Sequence, residues 1–526
     1  MRASPRKTSS ARTPCQSMSR VLVQTLGGGG VALAGRRGLP DGRVLPRAVT
    51  RVAAISATGI VSVEQFVGVA LEAMEDVFEP NANPSGFVDL AMLDSRLLDG
   101  YDTSGTGLER KAPTSGIELR QCVAQMLVEG GHGAPWVSSS PGVQGWLSPE
   151  WVTILGAKSE AEAVESVVAG ALAATTMKTG VLVVAPYRPA WPSPSGRLSH
   201  PVTSDGSVTA PSVLYVDPSA HGDDINAALD TGAETLRSSS GAEVGAVVLG
   251  NPSPATGVVA STGAILEVMR WCQSQDDVHV IADETGACGV YVSRPSSSFP
   301  GVAAAVAAGI GPTALTTNPN AKMTDDEDDE PAWGRKAGFM STSSLWRKAN
   351  TQLHVVTSFG SAAGISRGKT TCLLVTRDDR VRSGAGSDPF ANGLQALMGD
   401  GGTAAREAIS HHNMLLRRRQ KKVRTALDAL GVATGPAAAV PTTRADGGGY
   451  VWIDLSEFCG GSFEGETRLW EELAITYRVL IVPGGLCGAA RPGYFRAAVA
   501  GTEEALEKGL ERLELGVRAA NDTGCG

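Results

Sequence analysis

Short apolar runs alternate with stretches of helical periodicity through the middle of the chain. Three runs rich in β-branched residues end at turn residues, as buried strands do: "VLVVAP" at 181–186, "VGAVVLG" at 244–250 and "VHVIADE" at 278–284. A stretch with helical spacing of apolar residues precedes each of them. Strands that are apolar throughout and alternate with helices predict a mainly parallel sheet with helices on both faces.

The ends of the chain carry further elements. Apolar residues at 61–77 have helical spacing, and "TTCLLVT" at 370–376 has the pattern of a strand. Toward the C-terminus the pattern predicts a basic helix, a strand, a helix and a final amphipathic helix in "HHNMLLRRRQKKVRTALDALGV", "GYVWIDL", "TRLWEELAITY" and "TEEALEKGLERLELGV". These elements indicate a smaller α+β domain.

Changes of composition divide the chain into segments. A loop rich in proline and serine spans 193–212, and an insertion at 316–338 contains a run of six acidic residues at 325–330. We predict a basic segment at 1–55, an N-terminal arm and part of the small domain at 56–125, a large α/β domain at 126–390 that includes the acidic insertion, and the remainder of the small domain at 391–526.

Charge and cysteine content exclude several classes of function. The 526 residues carry 46 basic and 54 acidic side chains, a net charge of −8, so the basic excess of a nucleic-acid-binding protein is absent. Eight scattered cysteines without a CxxC pair favour reduced intracellular thiols over disulfides, zinc or another metal site. No apolar run is long enough for a membrane span, which predicts a soluble protein without a membrane partner.

The first sixty residues differ from the rest in charge. They contain ten arginines or lysines and one acidic residue, Asp41. This composition is typical of a transit peptide, but a disordered basic tail or a misplaced start codon gives the same pattern. The sequence therefore leaves a mitochondrial or plastid location open beside a cytoplasmic one.

Eight motifs follow one another in an informative order: "NPSGFVDLAMLDSRLLDG", "TSGIELRQCVAQML", "WVTILGAKSEAEAV", "VLVVAPYRPAW", "VVLGNPSPATGVV", "HVIADETGACGVY", "SFGSAAGISRGKTTCLLVTRDDRV" and "VLIVPGGLCGAARPGYFRAAVA". In this order the chain resembles the class I/II aminotransferases that depend on pyridoxal 5'-phosphate (PLP). It is most similar to the branch that contains 1-aminocyclopropane-1-carboxylate (ACC) synthase. The resemblance extends over about residues 83–515.

The resemblance implies PLP fold type I, an α/β fold whose large domain holds a mostly parallel sheet between helices and is joined by a smaller α+β domain. It also implies PLP as cofactor, an amino or keto acid as substrate and a homodimer. Asp283 takes the place of the aspartate that pairs with the pyridine nitrogen. The phosphate cradle at a helix N-terminus falls on Ala157, Lys158 and Ser159. Ser159 is also predicted to cap that helix, with Glu162 completing a capping box.

Four further residues match cofactor or substrate positions of the family. Arg496 in "RPGYFRAAVA" corresponds to the arginine that grips the substrate carboxylate. Asn251 keeps the first asparagine of the family's NPxNPxG pattern, and Tyr187 keeps one aromatic residue of its PYYPGF pattern. Ser358 corresponds to the serine that begins the motif of the catalytic lysine.

The same motifs depart from the family at positions that touch the cofactor. Pro254 replaces the second asparagine, Gly286 replaces the tyrosine of DEIY, and Arg188 stands where an aromatic ring stacks on PLP. Three residues after the motif's serine, Ser361 occupies the place of the lysine that forms the Schiff base. Lys369 stands at the place of the phosphate-binding arginine, and is an alternative carrier of the lost lysine's role.

Two functions of different classes follow from these matches and departures. The chain is either an active PLP enzyme, a transaminase or an ACC-synthase-like lyase, or a catalytically inactive pseudoenzyme that binds a ligand or partner through the same fold. The three losses at Pro254, Gly286 and Ser361 favour the pseudoenzyme. A frameshifted or wrongly spliced gene model around 315–360 is a third explanation of the missing lysine.

Two other motifs have competing interpretations. "AGISRGKT" fits a relaxed phosphate-loop pattern, but such a loop joins a strand to a helix, whereas the residues after Lys369 have the pattern of a strand. His411 and His412 suggest a metal or anion site, yet no carboxylate or cysteine follows at ligand spacing. A solvated helix face is the favoured interpretation of the two histidines.

Overall fold

A computed structural model describes residues 59–91, 95–98, 115–128, 147–155, 157, 159–175, 178–189, 191–192, 198, 211–292, 341–345, 352–359, 371–385, 398–435 and 442–522. The predicted basic segment at 1–55 and the acidic insertion at 316–338 lie outside these residues. Among the described residues, no helix has the length and apolar character needed to cross a membrane.

Fifteen strands can be numbered in the described part of the chain. They are β1 (Val88–Asp89), β2 (Val152–Leu155), β3 (Gly180–Val184), β4 (Ser212–Val216), β5 (Val244–Gly250), β6 (Val258–Ala260), β7 (His279–Glu284), β8 (Val290–Val292), β9 (Gln352–Ser358), β10 (Cys372–Thr376), β11 (Thr442–Gly447), β12 (Tyr450–Asp454), β13 (Val479–Leu480), β14 (Val482–Pro483) and β15 (Tyr494–Ala498).

Nine α-helices accompany these strands in the described residues. They are α1 (Val63–Glu75), α2 (Gly116–Leu127), α3 (Glu160–Ala174), α4 (Ile225–Ser240), α5 (Thr262–Ser274), α6 (Asp379–Ala385), α7 (Gly399–Asp428), α8 (Phe463–Ile475) and α9 (Glu503–Asp522). Short 3-10 helices lie at Pro149–Trp151, Pro218–His221, Ala287–Gly289, Thr342–Leu345, Ser456–Phe458 and Gly484–Cys487.

A seven-stranded sheet forms the centre of the fold, with the strand order β2-β10-β9-β7-β5-β3-β4. Strands β4, β3, β5, β7 and β9 are parallel to one another, whereas β10 is antiparallel to both of its neighbours. The prediction of a mainly parallel sheet is therefore confirmed. Helix α3 precedes β3, α4 precedes β5, and α5 precedes β7. These helices therefore supply the crossover connections that a parallel sheet needs.

Alternate residues of the sheet face two separate hydrophobic cores. Leu182, Val247 and Val280 belong to the core that also holds residues of α2, α4 and α5. Their neighbours Val183 and Val248 belong to a second core with residues of α3 and α6. Side chains of a strand point alternately to opposite faces, so a sheet covered on both sides requires the continuous apolar runs that the sequence contains.

A third core joins the two ends of the described chain. It combines buried residues between Val61 and Ala91 with others between Leu416 and Ala520. Within it, β15 lies between β12 and β14, and β1 pairs with β13 in parallel. This core is that of an α+β layer, while the domain boundaries at 125 and 390 remain predictions.

The basic helix is longer than its sequence pattern indicates, since α7 already begins at Gly399. The prediction of a solvated face for both histidines is wrong for His412. Its side chain is buried, and its Nε2 lies 3.0 Å from the hydroxyl oxygen of Ser95 in a hydrogen bond. Burial lowers the pKa of His412 to about 4, so the ring is neutral in the folded protein.

Candidate active site

The candidate site lies where the parallel strands end. Asp283 is the penultimate residue of β7, and Asn251 directly follows β5. Tyr187 and Arg188 follow β3, and Ser358 ends β9. Carboxyl ends of parallel strands meet at one edge of a sheet, which is where α/β proteins bind ligands. Residues far apart in sequence are brought together there.

Asp283 is buried and fully engaged by neighbouring side chains. The Tyr187 hydroxyl donates to Asp283 Oδ2 at 2.7 Å, and Arg188 donates from Nε to Oδ2 at 2.9 Å and from Nη2 to Oδ1 at 3.2 Å. The backbone N–H and hydroxyl of Thr285 both donate to Oδ1, at 3.1 and 2.6 Å. Burial opposes ionisation, but the Arg188 charge and these hydrogen bonds hold the pKa of Asp283 below its usual value.

Arg188 lies between two carboxylates. Besides its two bonds to Asp283, its Nη2 donates to the Thr285 hydroxyl, and its Nη1 lies 3.6 Å from Glu160 Oε2. Burial alone would lower the pKa of Arg188, but the charge of Asp283 raises it well above the ordinary value. The guanidinium therefore stays charged and neutralises Asp283.

Helix α3 begins beside this ion pair. Ala157 precedes the helix, and Ser159 caps it by accepting the Glu162 N–H at 3.1 Å, as predicted. Glu160, in the first turn, directs its carboxylate toward Arg188 and the Ser358 hydroxyl. Burial raises the pKa of Glu160, while Arg188 and Ser358 lower it. A carboxylate thus lies among the groups that sequence resemblance assigns to phosphate binding.

The Asn251 side chain contacts protein groups. Its Oδ1 accepts the Ala260 N–H at 3.2 Å, and it forms a hydrogen bond with the Glu284 carboxyl group. Glu284 also accepts the Ser341 hydroxyl and the Thr342 N–H, each at 2.6 Å. Burial raises the pKa of Glu284 to about 7 in spite of these bonds. Asn251 and Glu284 thus hold the ends of β5 and β7 in place.

Arg496 lies in β15 and is 5% exposed. Its Nη1 donates to the Pro254 carbonyl at 3.2 Å and its Nη2 to the Ala91 carbonyl at 3.1 Å. The guanidinium carbon lies 4.1 Å from the centre of the Tyr450 ring, in cation–π geometry. Among the described residues, no group accepts a hydrogen bond from its Nε.

Sequence reasoning and structure differ in which residues they bring together. Ser361, Lys369 and Lys158 lie outside the described residues, so their assigned roles remain predictions. Glu160 and Tyr450 were missed because neither belongs to a cofactor position of the matched motifs. The signal for Glu160 was an acidic residue in the first turn of a helix that was itself assigned to phosphate binding.

Metal ligation is not indicated by the part of the chain that can be described. No group of three or more histidine, cysteine, aspartate or glutamate residues is arranged there to hold a metal ion.

An aspartate at the carboxyl edge of a mainly parallel sheet, beside a helix N-terminus, agrees with the arrangement that the resemblance to PLP-dependent fold type I proteins implies. The model of the family "Aminotransferase class I and II" matches residues 210–513. The chain therefore belongs to the class I and II aminotransferase family, in which it is a divergent member. The family is PLP-dependent, so PLP is the cofactor that membership implies.

Within the family, the chain is similar to ACC synthases of plants. It is 24% identical over 310 residues to 1-aminocyclopropane-1-carboxylate synthase 4 of Oryza sativa subsp. japonica, a match that covers 56% of this chain and 55% of that protein. It is 23% identical over 467 residues to synthase 3 of the same organism, covering 84% and 89%. The chain thus spans about half of the first relative and most of the second.

Solved structures agree on the fold. A double mutant of Thermus thermophilus aspartate aminotransferase superposes with a TM-score of 0.52 at 16% identity, covering 90% of this chain and all of that one. An aminotransferase from Mycobacterium tuberculosis gives 0.53 at 16% identity, with coverage of 89% and 99%. The predicted PLP fold type I is confirmed.

The described side chains do not fit PLP in the arrangement found. On either carboxylate oxygen of Asp283, a protonated pyridine nitrogen would have to compete with two or three internal donors, of which Arg188 is one. A phosphate group beside Ser358 would meet the Glu160 carboxylate, and like charges repel at such distances. Arg188 thus occupies the partner of the pyridine nitrogen at one end of the cofactor position, and the Glu160 carboxylate opposes phosphate at the other end.

Proposed function

We propose that this family member is a pseudoenzyme, which performs no PLP chemistry and binds a small carboxylate ligand through Arg496. The observation that carries the proposal is the bidentate ion pair of Arg188 with Asp283. An active site of this family needs the aspartate for the pyridine nitrogen, and here an internal cation satisfies it.

The strength of this ion pair supports the proposal. Planar guanidinium and carboxylate groups form two parallel, charge-assisted hydrogen bonds, which are stronger than neutral ones. The Asp283 side chain is 1% exposed and that of Arg188 is 16% exposed, so water screens the pair weakly. Displacing Arg188 would leave a buried charge without its partner, which costs about 3–5 kcal/mol.

The substitutions within the family motifs also support the pseudoenzyme proposal. Ser361 cannot form a Schiff base, and neither Pro254 nor Gly286 has a side-chain group that could donate a hydrogen bond to the phenolic oxygen of PLP. We infer that an ancestral cofactor site has been filled by the chain's own charges.

Arg496 supports a retained binding function. A buried guanidinium whose Nε lacks an acceptor in the described structure is unfavourable unless a ligand supplies one. A carboxylate is the complementary group, because it accepts two hydrogen bonds from one guanidinium in a planar fork.

The proposal is tested by exposing the protein to PLP, reducing with borohydride and mapping peptides. Schiff bases with surface lysines form at many positions and to small extents, so the readout is the modified fraction at each lysine. We expect no lysine to be modified stoichiometrically. A stoichiometric adduct on one lysine, lost in Asp283→Ala, would overturn the proposal.

An active PLP enzyme is the second candidate, because Asp283 and Tyr187 keep two family positions at the carboxyl edge of the central sheet and Arg496 keeps a third in β15. In that case Lys369 or another lysine carries the Schiff base, and the reaction is transamination or ACC-synthase-like lysis of an amino acid. Asp283→Ala would then abolish turnover. Full turnover in that variant would refute the role of Asp283.

Assembly is proposed from the family alone. Family members are typically dimers, and we propose that this chain is also a homodimer. Light scattering after size-exclusion chromatography should give twice the mass of one chain.

A further inference from the structure

One loop of the α+β layer reaches the central sheet beside the candidate site. This loop, at 484–493, follows β14 and precedes β15. Both of its ends are held within the α+β layer, because Glu466 of α8 accepts the N–H groups of Gly485 at 2.9 Å and Gly493 at 2.6 Å. The residues between these two glycines form the contacts with the sheet.

The middle of the 484–493 loop is hydrogen-bonded to residues that follow two strands of the sheet. Asp217, directly after β4, accepts the Ala490 N–H on its Oδ2 at 2.8 Å. The Cys487 carbonyl accepts the N–H of Tyr187, a residue that follows β3, at 2.9 Å. Because the Tyr187 hydroxyl donates to Asp283, the loop contacts a residue of the candidate site itself.

Arg491 and Gly488 extend the contact between the loop and the sheet. Arg491 Nη2 donates to the Ser219 carbonyl at 3.1 Å. Gly488 has a φ of 77°, and a Cβ on it would lie 2.3 Å from Cδ1 of Tyr215 in β4. Only glycine combines this left-handed conformation with so close an approach. The loop is thus shaped to pack against the end of β4.

The Asp217 carboxylate has a local and a long-range partner. Its Oδ1 accepts the N–H of Ser219, two residues on, at 2.9 Å, while its Oδ2 binds Ala490, 273 positions away. The first bond closes a turn that an asparagine closes equally well. The second bond needs an acceptor, and the NH2 group of an asparagine side chain is a donor. Asp217→Asn is therefore a substitution that affects the loop and preserves the turn.

The loop is held to the sheet by far fewer contacts than those that hold the sheet together. In the part of the chain that the structure describes, three hydrogen bonds connect the two, with the donors Ala490, Tyr187 and Arg491. Water replaces each of them when the contact opens, so each contributes modestly. The seven-stranded sheet, by contrast, is covered by a hydrophobic core on each face. Segments with few contacts open at lower free energy than the core of the same protein.

We propose that the 484–493 loop is a latch, which closes the α+β layer against the carboxyl edge of the sheet without a ligand and opens while the sheet stays folded. Asp217 is the residue that fastens it. Opening separates the loop from Tyr187 and thereby admits a ligand to the side of the site that Tyr187 and Asp283 form. The inference does not depend on the proposed function, because both binding and catalysis need access to the site.

Cys487 in the loop is an internal probe of opening. Its side chain is buried, and burial raises the pKa of the thiol to about 12, so the closed loop offers no reactive thiolate. Cys272 in α5 is also buried, but it belongs to a core of the central sheet. Labelling of Cys272 therefore reports unfolding around the sheet, whereas labelling of Cys487 also reports opening of the latch.

The test is labelling of the full chain with N-ethylmaleimide at neutral pH, with the labelled cysteines identified by peptide mass mapping. When a segment closes faster than it is labelled, the labelling rate is proportional to the open fraction. We expect Cys487 of the wild type to be labelled at least about tenfold faster than Cys272, which corresponds to about 1.4 kcal/mol in the free energy of opening.

A matched pair of variants tests the role of Asp217. Asp217→Asn should accelerate the labelling of Cys487 at least about tenfold and leave that of Cys272 unchanged. Asp224→Asn removes the same charge a few residues further along, but the Asp224 carboxylate accepts two N–H groups in the first turn of α4. Both cysteines of this control should be labelled at the rates of the wild type.

The outcomes decide the latch separately from the proposed function. Equal labelling rates of Cys487 and Cys272 in the wild type would show that the loop opens only when the sheet unfolds, and would overturn the latch. A Cys487 rate in Asp217→Asn that equals the wild type, or that rises together with the Cys272 rate, would show that Asp217 does not fasten the loop. Neither result bears on the PLP adduct that tests the pseudoenzyme.

Discussion

At Arg188, a single guanidinium group contacts both carboxylates of the site. Its bidentate bond to Asp283 is buried, whereas its contact with Glu160 is longer, at 3.6 Å. Removing one member of a buried ion pair leaves the other uncompensated, while removing both avoids that penalty. The pair is therefore suited to a double-mutant cycle.

We predict that Arg188→Met and Asp283→Asn each lower the free energy of unfolding by about 3 kcal/mol. The double variant should lose less than the sum of the two, because neither charge is then left alone. Urea denaturation measures all three. Arg237→Met, at an exposed ion pair with Glu234 and Glu243, should change stability little. Strictly additive losses would show that Arg188 and Asp283 are not coupled.

The Arg188–Asp283 pair could not be predicted from sequence, although both residues were assigned to the site. They are 95 positions apart and meet only because β3 and β7 flank β5 in the sheet. Sequence motifs assign a residue's place relative to a cofactor. They do not reveal that a substituted residue will bind the partner intended for that cofactor.

Among the elements, α8 positions the loop that precedes β15. Glu466 in this helix accepts the N–H groups of Gly485 and Gly493 at 2.9 and 2.6 Å, so it holds both ends of the loop. Burial raises the pKa of Glu466 to about 7. Because β15 carries Arg496, the position of α8 affects the carboxylate site.

A glycine in the first turn of α8 provides a test of this packing. A Cβ at Gly465 would lie 1.8 Å from the Cys459 carbonyl oxygen, so the helix would have to move. We predict that Gly465→Ala lowers the free energy of unfolding by about 3 kcal/mol and weakens ligand binding at Arg496. Thermal unfolding and calorimetry measure the two effects.

Gly263 is the matched control for this variant. It also lies in the first turn of a helix with a serine N-cap, but a Cβ there would be 3.7 Å from the nearest atom, the Ser261 hydroxyl oxygen. Gly263→Ala should be neutral or stabilising by up to about 1 kcal/mol, since alanine favours helices. Equal stability of the two alanine variants would contradict the packing argument.

Element prediction succeeded where local pattern and burial agree. Strand β5 has the predicted bounds, because seven consecutive apolar or glycine residues are buried on both faces of the sheet. The start of α7 was missed by twelve residues, since "GDGGTAAREAIS" has glycines and few apolar positions to indicate a helix. Tertiary contacts decide such a boundary, and they also bury His412 beside Ser95.

For the whole molecule, buried histidines link stability to pH. His279 Nδ1 and His354 Nε2 lie 2.7 Å apart in a hydrogen bond, and His354 Nδ1 lies 2.8 Å from the Thr376 hydroxyl oxygen, so the pair connects β7, β9 and β10. Burial lowers the pKa of His279 to about 4 and that of His354 to about 3. Burial also lowers the pKa of His412 to about 4.

We predict that the stability contributed by the three buried histidines is lost as pH falls below about 6.5. The unfolded chain binds protons at these histidines there while the folded chain does not, so each histidine contributes a loss of about 2 kcal/mol by pH 5. His412→Gln should therefore lose less stability than the wild type between pH 7 and 5. Denaturation at several pH values measures the difference between the two proteins.

The wild type must be compared with His412→Gln, because Glu284 and Glu466 change stability with pH in the opposite direction to the histidines. Their pKa values are raised to about 7, so the folded state binds their protons more tightly and stability falls as pH rises from about 4.5 to 7. Both carboxylates are present in each protein of the comparison. Identical pH dependence of wild type and His412→Gln would contradict the account of the buried histidine.

The most direct test of the internal ion pair is calorimetric titration with 4'-deoxypyridoxine 5'-phosphate, a PLP analogue that has a methyl group in place of the aldehyde. It cannot form a Schiff base, so its affinity reports only the noncovalent contacts in the cofactor position. We predict no detectable binding to the wild type and measurable binding to the double variant Arg188→Ala/Glu160→Gln, in which Asp283 has lost its internal cation and no Glu160 charge repels the phosphate. Tight, stoichiometric binding to the wild type would contradict the claim that Arg188 occupies the place of the cofactor.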